Sequence, residues 1–202
     1  MIEIVTELQA LAQTGIAYSK DEYDIGRYER ILEISAELLS SHSNYLYEDI
    51  IELFTKDSGY ATPKIDVRGA VFKDSKLLLV REKSDGLWSM PGGWADVNLS
   101  PSENVLKEIK EETGYQCKVT KLIGIYDKKK SNRSCQWPHV YKIFFMCELI
   151  DALRAPLCDE ILETGFFELE EIPPLSEGRV SRYQIEKSFI YYNTRNLETY
   201  FE

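Results

Sequence analysis

The stretch LSPSENVLKEIKEETGY, Leu99 to Tyr115, is a helix whose two ends are written into its own residues. Ser100 is a natural N-cap, and Pro101 suits the first helical position. Glu103, three residues after the cap, completes a capping box. Gly114 suits the left-handed residue that closes a helix. At ~100° per residue, Val105, Leu106 and Ile109 fall on one narrow apolar arc. Glu108, Glu111 and Glu112 fall on the adjacent arc, with Glu112 nearest the apolar stripe. Carboxylates placed for water alone belong on the opposite side. These sit at the edge of a core, in a chain whose formal net charge is already −10.

This helix is set among strand-like runs. IDVRGAVF (Ile65–Phe72) and KLLLVRE (Lys76–Glu82) precede it, joined by a short KDS turn. Further strands are predicted in Cys117–Asp127 and His139–Leu149, with a short one near Gly165–Leu169 and a last helix over Ser181–Tyr192. Strands around one central helix, with a second helix at the end, predict a mixed α/β layer fold. Upstream the texture is helical. Val5, Leu8, Leu11 and Ala12 mark one face, Tyr28, Ile31, Leu32, Leu38 and Leu39 a second, and Tyr47, Ile50, Ile51 and Phe54 a third. Gly15 and Ser19–Asp24 punctuate the first gap, Ser40–Asn44 the next. KDSGYATPK (Lys56–Lys64) reads as a linker. The expected division is a helical domain over 1–58 and an α/β domain over 64–202. A helical leader of this size cannot bury all its faces alone. It docks on the α/β domain or pairs with a second copy, and the homodimer is the sharper expectation.

Composition narrows the function classes. A sequence pI near 4.9 argues against grip on a nucleic-acid backbone as the main role. Four cysteines without a CxxC spacing and two histidines argue against a zinc site. The opening MIEIVTEL has neither a basic n-region nor a long apolar stretch, so a cytoplasmic protein without membrane association is expected.

Carboxylates at i, i+3 and i+4 can converge on a hard cation that prefers oxygen ligands. The alternative is a solvated acidic face, with Lys107–Glu111 and Glu103–Lys107 as i,i+4 pairs. Just before the helix lies PGGWAD, Pro91 to Asp96. Its paired glycines let backbone approach a ligand and offer a carbonyl.

Gly93 through Tyr115 resembles the Nudix box, in which a Gly, five residues, a Glu and seven residues precede Arg-Glu-hydrophobe-x-Glu-Glu-x-Gly-hydrophobe. Gly93, Glu108, Ile109, Glu111, Glu112, Gly114 and Tyr115 are in register. Two positions depart: Leu99 stands at the first Glu and Lys107 at the Arg. The helical leader resembles that of a Nudix subgroup that includes bacterial CDP-choline and ADP-ribose pyrophosphatases, in which the leader helps form a homodimer. The resemblance implies an α/β/α sandwich with a mixed sheet. It also implies hydrolysis, with Mg²⁺ or Mn²⁺, of nucleoside diphosphates linked to another group. By the same resemblance Glu108 and Glu112 are the leading metal ligands, Glu111 the third, and Gly92 lends a carbonyl. A late loop offers Glu160 and Glu163 as general base or extra ligand. Arg68 and Arg81 are candidates for phosphate contacts, or for ion pairs across the sheet. Lys128, Lys129, Lys130 and Arg133 make a basic patch, either steering anions or solvated. Tyr126, Trp137 and His139 flank it, where a base could stack. The departures at Leu99 and Lys107 keep open the alternative of a weak or inactive Nudix domain that binds nucleotide as a regulatory module.

Overall fold

The computed structural model describes residues 2–131, 138–152, 158–194 and 196–202. Trp137 and Arg133 lie outside the described residues. The chain divides into two compact units: the first runs to Pro63 and also takes in Pro138 and His139, and the second begins at Lys64.

The first unit is built from α1 (Ile2–Tyr18), α2 (Glu22–Ser41) and α3 (Tyr47–Thr55). Val5 and Ala12 of α1, Leu32, Ala36 and Leu39 of α2, and Ile50 and Phe54 of α3 form its core. Asp21 caps α2 by accepting from the Asp24 N–H at 3.0 Å. Two details differ from the sequence reading. Gly15 does not interrupt the chain. It lies inside α1, where a Cβ would overlap the Tyr28 ring of α2, so it lets the two helices approach closely. And α1 does not bury one face of four residues: Val5 and Ala12 are buried, while Leu11 is 58% exposed.

In the second unit the strands are β1 (Lys64–Lys73), β2 (Lys76–Glu82), β3 (Trp88–Ser89), β4 (Tyr115–Asp127), β5 (Val140–Ala152), β6 (Ile161–Phe167) and β7 (Tyr200–Phe201). They form one mixed sheet in the order β3-β2-β1-β5-β4-β7, with β6 paired to β2. β1 runs parallel to β5, which runs antiparallel to β4. The β1–β2 turn holds Asp74 and Ser75 at positive φ. The edge strands β3 and β7 are two residues each, too short to leave a periodic signal.

Alternation along β1 sorts side chains to two sides. Val67 and Val71 pack with Val105 and Ile109 of α4 (Pro101–Thr113). Ala70 and Phe72 pack with Ile185 and Phe189 of α6 (Arg182–Asn193). The result is a layered α/β/α arrangement with a mixed sheet, the mixed α/β fold that the sequence pattern predicts in the form that the resemblance implies. A short α5 (Lys128–Ser131) follows β4. No described helix is long and apolar enough to cross a membrane.

Candidate active site

The helix α4 forms as its sequence specifies. The Ser100 hydroxyl accepts from the Glu103 N–H at 3.3 Å and the Glu103 carboxylate accepts from the Ser100 N–H at 2.8 Å. Gly114 closes it at φ 71°. Its seating depends on Gly69 of β1, where a Cβ would stand 2.6 Å from Ile109 Cδ1.

Seated this way, α4 grades its glutamates by depth. Glu112 is buried at 8% exposure, Glu108 is largely covered and Glu111 is open. The Glu112 Oε2 accepts from the Gly92 N–H at 2.9 Å. Gly92 sits at φ 139°, and a Cβ there would overlap the Val67 carbonyl. Only glycine adopts this conformation in this space. Gly93 approaches Glu108, whose Oε2 is 3.0 Å from where a Cβ would be. The glycine loop lies along β1 like an added strand. Gly69 N–H donates to the Pro91 carbonyl (2.9 Å), Val67 N–H to the Gly93 carbonyl (2.8 Å) and Ala95 N–H to the Ile65 carbonyl (3.0 Å). The Gly92 carbonyl lies between two that are already engaged.

Burial pushes the Glu112 carboxyl up to about 8, against the pull of the Arg68 guanidinium and the Gly92 N–H; Glu108 and Glu82 push it further up. Burial also raises Glu108 above the usual carboxylate range, with Lys107 opposing. Lys107, where the family has Arg, reaches Asp96 at 2.8 Å, Glu111 at 3.3 Å and Glu108 at 3.9 Å. The hydrogen bond to Asp96, and then that to Glu111, hold its ammonium above the usual lysine range. With Glu111 drawn to Lys107, no three His, Cys, Asp or Glu side chains converge at metal-binding distance among the described residues. One buried and one partly covered carboxylate that repel each other, beside a backbone carbonyl, still form a donor set suited to a hard divalent cation. Leu99, at the position of the missing glutamate, is 38% exposed.

Other candidates fall elsewhere. Arg68 is buried and gives Nε and Nη2 to the two Asp66 oxygens at 2.9 and 2.7 Å, and Nη1 to the Met90 carbonyl at 3.0 Å. Its fork is engaged by Asp66 and the Met90 carbonyl. Arg81 of β2 stands opposite Glu163 of β6, with 3.7 Å between their charged groups. Glu163 is therefore on a strand, not in a loop, because β6 begins at Ile161. Glu160 is exposed in the turn before β6, and its carbonyl accepts from the Lys83 N–H at 2.8 Å. Tyr126 is fully buried in the core, edge-on to Phe144 at 5.1 Å, and cannot stack on a base from solvent. His139 is half-buried just before β5. Lys128 is half-buried, and burial lowers its ammonium despite the nearby Asp66.

The sequence reading missed four side chains around this site. Asn104, 1% exposed, accepts from the Asp96 N–H at 2.8 Å and donates to the Asp96 and Leu99 carbonyls, clamping the loop to α4. Buried Glu82 accepts from the Ser89 hydroxyl at 2.8 Å and pairs with Arg179 at 3.2 Å. Asp66 and Lys142 are register partners on β1 and β5. Asn104 had a local signal, standing on the cap-proximal turn of a predicted helix; the others required strand pairing to be known.

The capped carboxylate helix, the glycine loop and the mixed sheet fit the Nudix resemblance, and known proteins agree. The NUDIX domain model matches residues 63–188, and a model described as a UDP-X-like, N-terminal oligomerisation domain matches residues 1–54. The chain belongs to the Nudix hydrolase family. It is 41% identical over 201 residues to a putative ADP-ribose pyrophosphatase of Bacillus subtilis, covering 100% of this chain and 96% of that protein. A crystal structure of a UDP-X diphosphatase is similar at 34% identity and TM-score 0.65, covering 100% of this chain and 97% of the other. An ADP-ribose pyrophosphatase from Streptococcus suis is similar at 40% identity and TM-score 0.64, covering 70% of this chain and 100% of that one.

Proposed function

We propose that this Nudix hydrolase cleaves the diphosphate bridge of a nucleoside diphosphate linked to another group. Water attacks one phosphorus and the bridging P–O bond breaks. The products are a nucleoside monophosphate and the phosphorylated second group. The observation that carries the reading is the buried Glu112, held by the Gly92 N–H at 2.9 Å within a box that matches the family.

Glu112 and Glu108 would be the leading ligands for Mg²⁺ or Mn²⁺, with Glu111 the third and the Gly92 carbonyl lending an oxygen. Such a cation would neutralise charge at the phosphates and make an attacking water more acidic. The protein's own part is positioning. The glycine loop fixes Glu112, Lys107 ties that loop to α4 through Asp96, and Asn104 holds the loop's far end. Glu160, exposed in its turn, suits a general base better than Glu163, which faces Arg81. The names of the similar proteins make ADP-ribose and UDP-linked groups the first substrates to try, with CDP-choline beside them. The N-terminal helices are proposed to hold a homodimer.

The test is nucleotide release from ADP-ribose, UDP-glucose and CDP-choline with Mg²⁺ or Mn²⁺, for the wild type beside Glu112→Gln. Metal-dependent release of a nucleoside monophosphate is expected, falling by roughly a hundredfold or more in the variant. Equal rates for the two proteins would remove Glu112 from the reaction. Binding of these nucleotides without turnover would leave a binding module.

A further inference from the structure

Helix α1 carries more apolar surface than its own bundle covers. Val5 and Ala12 enter the core of the first unit. On another side Ile4, Leu11 and Tyr18 are 58%, 58% and 68% exposed. Seven residues separate each from the next, close to two helical turns, so they run in one line. Half-buried Leu8 fills the gap between the first two. From Leu8 to Ser19 the helix and its exit contain no charged residue. A helix face meant for water carries charge, and α2 shows the contrast. Its exposed side holds Arg30 between Glu33 and Glu37, at 2.7 and 3.1 Å, and pairs Arg27 with Asp24.

We infer that the Ile4–Leu8–Leu11–Tyr18 stripe packs against the same stripe of a second copy, antiparallel, across a two-fold axis at Leu11. This rests on the homodimer reading above and specifies its seam. The occupant is a second copy because the model matching residues 1–54 is described as an oligomerisation domain. A stripe centred on one residue is self-complementary under two-fold rotation, the commonest closed symmetry. Charge sets the direction. The acidic residues of α1, Glu3 and Glu7, both lie in its first half, and its last turn has no basic residue. A parallel pair would set Glu3 against Glu3 and Glu7 against Glu7. The antiparallel pair sets them along an uncharged half that leads to Lys20, and opposes the helix dipoles. Ile4 then faces Tyr18 of the partner subunit and Leu11 faces its own copy. Stable interfaces bury on the order of 1,200 Å² or more, so this seam is the centre of the contact rather than all of it.

The experiment is light scattering on the full chain for the wild type, Leu11→Glu, Leu11→Lys and an equimolar mixture of the two variants. A wild-type dimer is expected. Each variant alone should dissociate, its dimer affinity weakened by about a hundredfold or more as like charges meet at the centre of the contact. The mixture should return to dimer. Leu11 is exposed, so neither change burdens the monomer fold, and far-UV helicity checks this. In a second arm that adds no charge, Ile4→Cys and Tyr18→Cys chains are mixed and oxidised gently. A 4–18 cross-linked peptide is expected, and none between two copies of position 4. Variants that stay dimeric, or a 4–4 cross-link, would overturn the antiparallel seam while leaving a dimer. A monomeric wild type would overturn the homodimer reading itself, and nucleotide release by that monomer would leave the hydrolase reading standing.

Discussion

Glu112 is buried against the glycine loop, and the role proposed for it asks it to carry charge there. Burial raises its carboxyl to about 8, and one N–H from Gly92 and the nearby Arg68 hold it back. Its place beside the apolar stripe was legible from helical period alone. The charges behind it were not, since Lys142 comes beside Asp66, the partner of Arg68, only through the pairing of β1 with β5. Lys142 is the extreme case, at 3% exposure, donating to the Gly178 carbonyl at 3.0 Å and to the Arg179 carbonyl. Burial lowers its ammonium to about 7, with Asp66 opposing and Arg68, Lys128 and Arg179 adding to the drop. The unfolded chain, with an ordinary lysine near 10.4, therefore binds more protons than the folded one between those two values. Stability from this residue rises with pH across that window. In urea denaturation the stability of wild type relative to Lys142→Met should climb from pH 7 to pH 9. A flat difference would mean that the two carbonyls keep the ammonium charged throughout.

Helix α4 is the element on which sequence and structure agree most closely, because its stop and start signals are local. Its distance from the sheet is not local. That distance is set by Gly69, where an added methyl would come 2.6 Å from Ile109 Cδ1. Gly69→Ala should push the helix outward and destabilise the chain by about 1–3 kcal/mol, moving Glu108 and Glu112 off the glycine loop. Ile109→Val removes the clashing carbon, so the double variant should recover activity that Gly69→Ala alone loses. Additive losses in turnover and denaturation midpoint would show that the two residues do not meet. β6 illustrates the opposite case. Its first half, Ile161–Glu163, falls where the resemblance implies a late loop, and pairing with β2 makes it a strand.

For the whole molecule, a cation bound in the folded state alone stabilises that state. Saturation at about 100 times the dissociation constant contributes roughly 2.7 kcal/mol. Mn²⁺ or Mg²⁺ should raise the unfolding temperature of the wild type, with little shift for Glu112→Gln. Equal shifts for both would place the cation away from α4.

By itself the sequence determined what depends on neighbours along the chain. The capped carboxylate helix, the glycine pair, the main strands and the change from helical leader to α/β domain are all of this kind. Period and capping are short-range properties, and a box of fixed spacing is read the same way in any fold. The tertiary structure alone decided which charges are occupied. It put Lys142 beside Asp66, sank Tyr126 into the core, set Arg81 opposite Glu163 and brought Arg179 to Glu82. It also left Leu11 outside while Val5 and Ala12 went in. The reason is geometric. Strand register and helix rotation bring together residues far apart in sequence, and whether a charge meets a partner, a substrate or water depends on that meeting.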